Sequence, residues 1–315
     1  MTARDAELLG DRGGAVDVAN AASPRRPLRW VAAAILLVLL AQLINMLVTN
    51  PNFQWGVVAS WFGARSVVIG LGMTLLLTVI AMGIGVVFGT LIALARMSDN
   101  PLLRTVAGAY VWLFRSIPEL VQLLFWFNLA ALLPRISLGV PFGPSFVSWE
   151  TNNLITALTA AILGLGLLEA AYMAEIVRGG LLSVDSGQSE AAQSLGMSGY
   201  RRVRRIILPQ AMRFIVPPTG NNVIRMVKGT ALVSVIGMND LLYSVQVVYA
   251  RTYETIPLLI VACIWYLVVN SILFILQSRV ERHYGRGGPA FKRTPLQGLL
   301  RTRLAGGGGR PGETP

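Results

Sequence analysis

The chain has 315 residues, a mean hydropathy of +0.60 and only 13% charged side chains. Those values exclude an ordinary soluble domain, and long uncharged runs point to helices embedded in a bilayer. The net charge of +12 would suit nucleic acid in a soluble protein. Here the arginines cluster in alternate loops, so membrane orientation and anionic lipid account for them and no nucleic-acid partner is implied.

Residues 1–29 are polar and read as a disordered cytoplasmic tail. Residues 30–48 form a first apolar span. No small-x-small cleavage site follows it, which predicts an uncleaved anchor rather than a signal peptide. A short outer loop carries Trp55 and Trp61, suited to the membrane interface. Residues 66–95 hold no charge. Gly85 and Gly89 within them have the small-xxx-small spacing that lets helices approach closely. Arg96, Asp99, Asn100-Pro101 and Arg104 predict a cytoplasmic turn.

Residues 102–114 are amphipathic enough to lie along the interface. Arg115 and Pro118 then open a third span at 119–133, with Glu119 favouring the helix N-terminus. Residues 134–150, rich in proline and glycine, read as an outer loop. The fourth span, 155–174, contains Glu169 and ends near Glu175. The fifth, 211–236, contains Pro217-Pro218, which should kink or break it and free backbone carbonyls. Asn221, Asn222, Arg225 and Lys228 follow. Residues 237–256 read as another outer loop and 257–276 as the sixth span. Residues 283–315 read as a basic disordered tail.

Positive residues test this layout. Segments 1–29, 96–115, 175–213 and 277–315 hold 5, 3, 6 and 8 Lys or Arg, whereas 49–65, 134–154 and 237–256 hold one each. The asymmetry predicts six spans with both ends cytoplasmic. One cysteine, Cys263, excludes an internal disulfide, and one histidine, His283, leaves no metal centre to expect. No Gly-x-x-x-x-Gly-Lys-Ser/Thr occurs, so this chain is expected to carry no cofactor; ATP and magnesium would sit on another chain.

Between the fourth and fifth spans lies a polar stretch of different character. Asp185 can cap a helix start, with Gln188 in capping-box spacing. Ala191, Ala192 and Leu195 give a short helix with a smooth face, and Gly196 stops it. Ser198 can cap a second helix, with Val203, Ile206 and Ile207 on one side and arginines over most of the rest. Pro209 biases Leu208 away from the helical region and should end or bend the element. The outcome is a helix–glycine–helix knuckle shaped for a groove in another protein. A basic amphipathic loop resting on anionic lipid is the other reading.

Glu190-Ala191-Ala192, Gly196 and Ile207-Leu208-Pro209 resemble the EAA loop of ABC importer permeases. Segments 171–180, 187–192 and 209–213 are similar to the polar amino-acid uptake branch, the histidine-, glutamine- and glutamate-type permeases. So are segments 115–122 and 228–234. The resemblance covers roughly residues 66 to 285. It implies an all-α membrane protein with the type I ABC importer transmembrane fold: a five-helix core at 66–282, with the coupling loop at 186–209. Residues 30–65 add an extra N-terminal span and outer loop that the family's core lacks. The implied setting is the bacterial cytoplasmic (inner) membrane, with membrane lipid around the spans. The implied partners are a dimer of ABC ATPase subunits, an extracytoplasmic solute-binding protein and a second permease subunit, identical or paired. The chain itself would not be an enzyme. Glu190, Ala191, Ala192, Gly196, Leu208 and Pro209 would couple it to the ATPase.

Candidates for the substrate path are Glu169, Glu175, Arg225 and Lys228, because a charge inside a span is costly and is kept for a reason, together with Asn222, whose other reading, shared with Asn221, is an interhelical hydrogen bond. Glu169 either receives a substrate cation or pairs with Arg225 or Lys228. Arg225 and Lys228 either hold a substrate carboxylate or fix helix packing. Lys228 matches the family's lysine, whereas Arg225 departs from a commonly uncharged position. Ser116-Ile117 stand where the family often has Gly-Thr. Tyr172 and Glu175 are expected to fix the junction of the fourth span with the coupling loop. A stand-alone secondary transporter or channel using Glu169, Arg225 and Lys228 as an ion relay is the alternative. It would need no cytoplasmic knuckle.

Overall fold

The computed structural model describes residues 27–140 and 143–284. The tails expected at 1–29 and 283–315 fall outside those residues, except for 27–29 and 283–284, which are helical. The chain divides into two units, residues 1–53 and 54–315. In the first, α1 (Pro27–Thr49) has 23 apolar-dominated residues without an amphipathic face. At 1.5 Å per residue that is about 35 Å, enough to cross a bilayer.

The second unit is built on α2 (Trp55–Phe62), α3 (Arg65–Arg96) and α8 (Ala157–Leu182). The seam between α3 and α8 is made of small residues. A Cβ on Gly89 would lie 2.5 Å from Met173 Cβ and 2.8 Å from the Ala170 carbonyl, so only glycine fits. Ala160, Ala161, Ala170, Ala171 and Ala174 of α8 are fully buried. Close approach of this kind gains dispersion where the hydrophobic effect between helices is absent. The expected glycine pairing is therefore present.

Between these helices the chain departs from expectation. α4 (Pro101–Ser116) starts at the Asn100 cap, whose Oδ1 accepts from Leu102 N at 2.9 Å. It ends at Ile117, held extended before Pro118. α5 (Glu119–Phe127) and α6 (Leu129–Leu132) then replace the single third span expected at 119–133. Nine helical residues make only about 14 Å, short of a bilayer core. Gln122 bridges the break: its Nε2 donates to the Phe114 and Ile117 carbonyls at 2.7 and 2.9 Å. The outer loop expected at 134–150 contains an antiparallel hairpin, β1 (Arg135–Gly139) with β2 (Ser145–Glu150). Ile136 pairs with Trp149 and Leu138 with Val147, and Arg135 Nε meets Glu150 Oε1 at 2.8 Å. The alternating apolar residues carry the strand signal, which the prolines and glycines obscured. A single turn, α7 (Thr151–Leu154), leads into α8.

After α8 come α9 (Ser186–Ser194), α10 (Gly199–Arg202), a π-helical turn (Val203–Ile207) and α11 (Leu208–Gly229). Pro209 does not end the element. Leu208 is helical (φ −61°, ψ −45°), and the proline enters in the first turn of α11, where its missing N–H is not needed. Nor does Pro217-Pro218 break α11. The helix is held through the prolines by Thr219 Oγ1, donating to the Ile215 carbonyl at 2.7 Å, and by Gln277 Nε2, donating to that of Pro217 at 2.7 Å.

A 3-10 segment (Thr230–Ile236) ends at Gly237, which is left-handed at φ +72°. The outer loop expected at 237–256 is largely helical: α12 (Leu241–Thr252) continues at a 44° bend from the preceding segment. Leu241 and Val245 are fully buried in a cluster with Val58, Val67, Leu258 and Val261. Leu241, Val245, Val248 and Tyr249 follow helical spacing, a signal that the scattered charges in this segment masked. Asp240 caps α12, its Oδ1 accepting from Tyr243 N at 2.8 Å. α13 (Thr255–Tyr284) completes the unit. Among the described residues, four helices are long and apolar enough to cross a membrane, and the bent pair through α11 and α12 makes five.

Candidate functional site

Two regions hold the residues singled out in the sequence. The first is inside the helical unit. Glu169 of α8 is fully buried, and its side chain lies over Gly85 of α3, where an added Cβ would stand 2.5 Å from Glu169 Cγ. Without that glycine the carboxylate would have no room. Asn222 and Arg225 stand three apart on α11 and so share a face. Asn222 Nδ2 donates to Glu169 Oε1 at 2.8 Å, and Arg225 Nη2 donates to Oε2. Arg225 Nη1 also lies 3.9 Å from Glu119 Oε2 on α5. Its guanidinium stacks on Tyr172 at 4.4 Å, and Arg115 lies 5.4 Å from the same ring.

A hydrogen-bonded ion pair offsets the desolvation that a lone buried charge would suffer. Two carboxylates, Glu119 and Glu169, face one guanidinium. Glu119 Oε1 and Arg225 Nε are buried without hydrogen-bond partners. The pairing alternative for Glu169 is thus realised with Arg225, while Lys228 is exposed and makes no ion pair among the described residues.

Nearly two turns further along α8, Glu175 is ringed by arginines. Arg96 Nη1 donates to it, Arg178 Nη2 reaches it at 3.0 Å and Arg115 Nη1 lies 3.6 Å away. Glu175 therefore ties the end of α3 to α4 and α8. Tyr172 joins this ring to the inner cluster through Arg115. Glu119, expected only as a helix-end charge, also belongs to this cluster; its spacing of three from Gln122 is the available signal that both face inward.

The second region is the knuckle. Asp185 Oδ1 accepts from Gly187 N at 2.7 Å and starts α9. Gly196 sits at φ +73°, and Met197 N donates to the Ala192 carbonyl at 3.1 Å, closing the helix end. Nothing lies within 4 Å of a Cβ at Gly196, so the backbone angle rather than space demands glycine here. The alanine pair is divided: Ala192 is buried, whereas Glu190 and Ala191 are exposed. Leu195 is 82% exposed at the tip. Ser198 occupies the next cap position without a side-chain bond. Leu208 and Pro209 are exposed where α11 begins.

A membrane-embedded helical unit carrying an exposed knuckle of this geometry is the form of a transport subunit that works through a partner. Residues 85–286 match the family of binding-protein-dependent transport system inner membrane components, and the chain belongs to that family. It is 43% identical over 266 residues to the arginine transport system permease protein ArgU of Corynebacterium glutamicum, covering 84% of this chain and 82% of that protein. It is 35% identical over 218 residues to the probable amino-acid ABC transporter permease protein YckA of Bacillus subtilis, covering 69% and 88%. A crystal structure of an amino acid ABC transporter with histidines matches 69% of this chain and 94% of its own, at 38% identity and a TM-score of 0.59. The inward-facing MetNI methionine ABC transporter shares the fold alone, at 22% identity and a TM-score of 0.54 over 71% and 96% of the two chains. The chain is accordingly an inner-membrane permease subunit and not an enzyme; ATP hydrolysis belongs to a partner chain. Family membership displaces the stand-alone secondary transporter.

Proposed function

We propose that this chain is the permease of an ATP-driven importer for polar amino acids, with a cationic or zwitterionic substrate. The observation that carries the substrate class is the inner cluster, where Glu119 and Glu169 face the single Arg225 and leave one negative charge unbalanced. Such a site complements an ammonium or guanidinium group. The likeness to an arginine permease over 84% of the chain supports the same class. Asn222 orients the carboxylate, Lys228 is free to meet a substrate carboxylate, and the Glu175 ring holds the inner end of the path together.

The chain crosses the membrane six times with both ends cytoplasmic. α4 and α5, broken at Pro118, form the third crossing in succession, and the distribution of Lys and Arg supports that sidedness. Residues 30–65 form the added N-terminal crossing and outer loop, 66–282 the transport core, and the two tails lie at its ends. Two permease subunits frame one path, an ATPase dimer grips both knuckles, and a solute-binding protein delivers substrate from outside. Glu190 and Ala191 present the contact surface, Ala192 and Gly196 set its angle, and Leu208 and Pro209 connect it rigidly to α11. Closure of the ATPases draws the knuckles together and turns the path outward.

The test is ATPase activity in liposomes containing this chain, a candidate ATPase subunit and a binding protein, across a panel of amino acids. Stimulation by the protein loaded with a cationic or zwitterionic amino acid is expected, and Glu169→Gln should remove it while leaving ATPase association intact. Uptake driven by an imposed proton or sodium gradient without the ATPase would overturn the reading.

A further inference from the structure

Four arginines stand at 201, 202, 204 and 205, and none has a carboxylate within ion-pair distance among the described residues. Arg202 turns toward α9, its Nη1 donating to Gln193 Oε1 at 3.3 Å. The other three, with Tyr200, line a polar cleft of about 330 Å³. Positions 201, 204 and 205 are related by three and four residues, which brings like charges together on one side at a cost in repulsion. Arg204 Nη1 donates to the Tyr200 hydroxyl at 3.3 Å, leaving the phenolic proton available to a ligand. A cleft of guanidinium forks plus a hydroxyl donor is complementary to a tetrahedral oxyanion, with phosphate the best match.

The location selects the source of that phosphate. The cleft lies where α10 passes through the π turn into α11, the helix that enters the bilayer. Arg205 precedes Ala211, the first fully buried residue of α11, by about 9 Å of helix. Val203, between the arginines, and Leu208, one turn past them, are exposed apolar side chains at 45% and 41%. An apolar and cationic surface of this kind suits the boundary between headgroups and acyl chains.

We propose that Tyr200, Arg201, Arg204 and Arg205 form a phosphate-binding site, and that the headgroup of an anionic phospholipid occupies it. Its place in the cytoplasmic leaflet rests on the sidedness proposed above; the site itself does not. A headgroup held there anchors the base of the knuckle at the bilayer surface while the tip at Gly196 stays free for its partner. This role is separate from the coupling role of Glu190 and Gly196.

The experiment is native mass spectrometry of the full chain in detergent, titrated separately with phosphatidylglycerol, phosphatidylcholine and inorganic phosphate. The triple variant R201Q/R204Q/R205Q is compared with the parent after their thermal unfolding midpoints are matched. Phosphatidylglycerol is expected to bind the parent about a hundredfold more tightly than the triple variant, at about fivefold per arginine. Phosphatidylcholine should not discriminate. The single variant R204Q, expected to weaken binding about fivefold, serves if the triple variant does not fold. Equal phosphatidylglycerol affinity in parent and variant would overturn the site. Phosphate binding lost in the variant, with phosphatidylglycerol bound no better than phosphatidylcholine, would overturn the lipid assignment in favour of free phosphate. Loss of co-purification with the ATPase, with lipid binding unchanged, would overturn the proposal and assign the arginines to that interface.

Discussion

The seam where α3, α8 and α11 meet and the knuckle between α8 and α11 are both built on glycines and charged residues, yet those residues serve opposite ends. In the seam, Gly85 makes room for the side chain of Glu169, and the carboxylate meets Asn222 and Arg225 within the same chain. In the knuckle, Gly196 has empty space around it and only sets a backbone angle, while Glu190 stays exposed. The first region matches the buried charge of Glu169 within the chain. The second leaves its charges exposed to water. A buried charge must be matched before the helices can pack, whereas an exposed charge can wait for its partner in water.

Breaking the seam should have the largest effect on stability. Arg225→Ala leaves Glu169 buried and uncompensated, and should destabilise the chain by about 3–5 kcal/mol. Thermal unfolding in detergent measures this. The double variant Arg225→Leu with Glu169→Gln should recover most of the loss, because neither charge is then stranded; no recovery would mean the pair is not the source of the effect. Gly89→Leu comes next, at about 1–3 kcal/mol, since its side chain must displace Met173 and the Ala170 backbone. The same unfolding measurement checks it, and an unchanged midpoint would contradict the close α3–α8 approach.

Gln122→Leu should cost about 1 kcal/mol by removing its bonds to the Phe114 and Ile117 carbonyls across the helix break. Hydrogen exchange at residues 114–117 should speed up while α8 stays protected. The smallest effect on stability belongs to Gly196→Asp, since aspartate tolerates the left-handed region better than most residues. Its effect on association is expected to be complete: the variant inserts normally but fails to co-purify with the ATPase subunit. Co-purification at the parent's yield would remove the knuckle from the coupling role and erase the contrast between the two regions.

Much of the knuckle was legible in the sequence because its determinants are local. Asp185, Gly196 and the EAA residues act within a few positions of themselves, and cap and glycine signals are short-range. Pro209 was misread because a proline in the first turn of a helix reads the same, in sequence, as one that ends it. α12 and the hairpin were missed for a related reason: charges, prolines and glycines between spans resemble loop composition even where the apolar spacing persists. In the seam, the glycine pair Gly85 and Gly89 announced close packing, and Glu169 announced a charge that needed a partner.

The membrane class, the family resemblance and the position of the knuckle were legible in the residues, because hydropathy and short motifs are carried by neighbours. That Glu169 meets Arg225 and Asn222 rather than Lys228, that Glu119 joins them from α5, and that Glu175 is ringed by three arginines came only from the packing of the helices. Apart from Glu175 with its helix neighbour Arg178, those meetings link residues more than fifty positions apart, as with Glu169 and Arg225. They depend on how each helix is rotated about its axis, and that rotation is set by packing along the glycine seam rather than by any local signal.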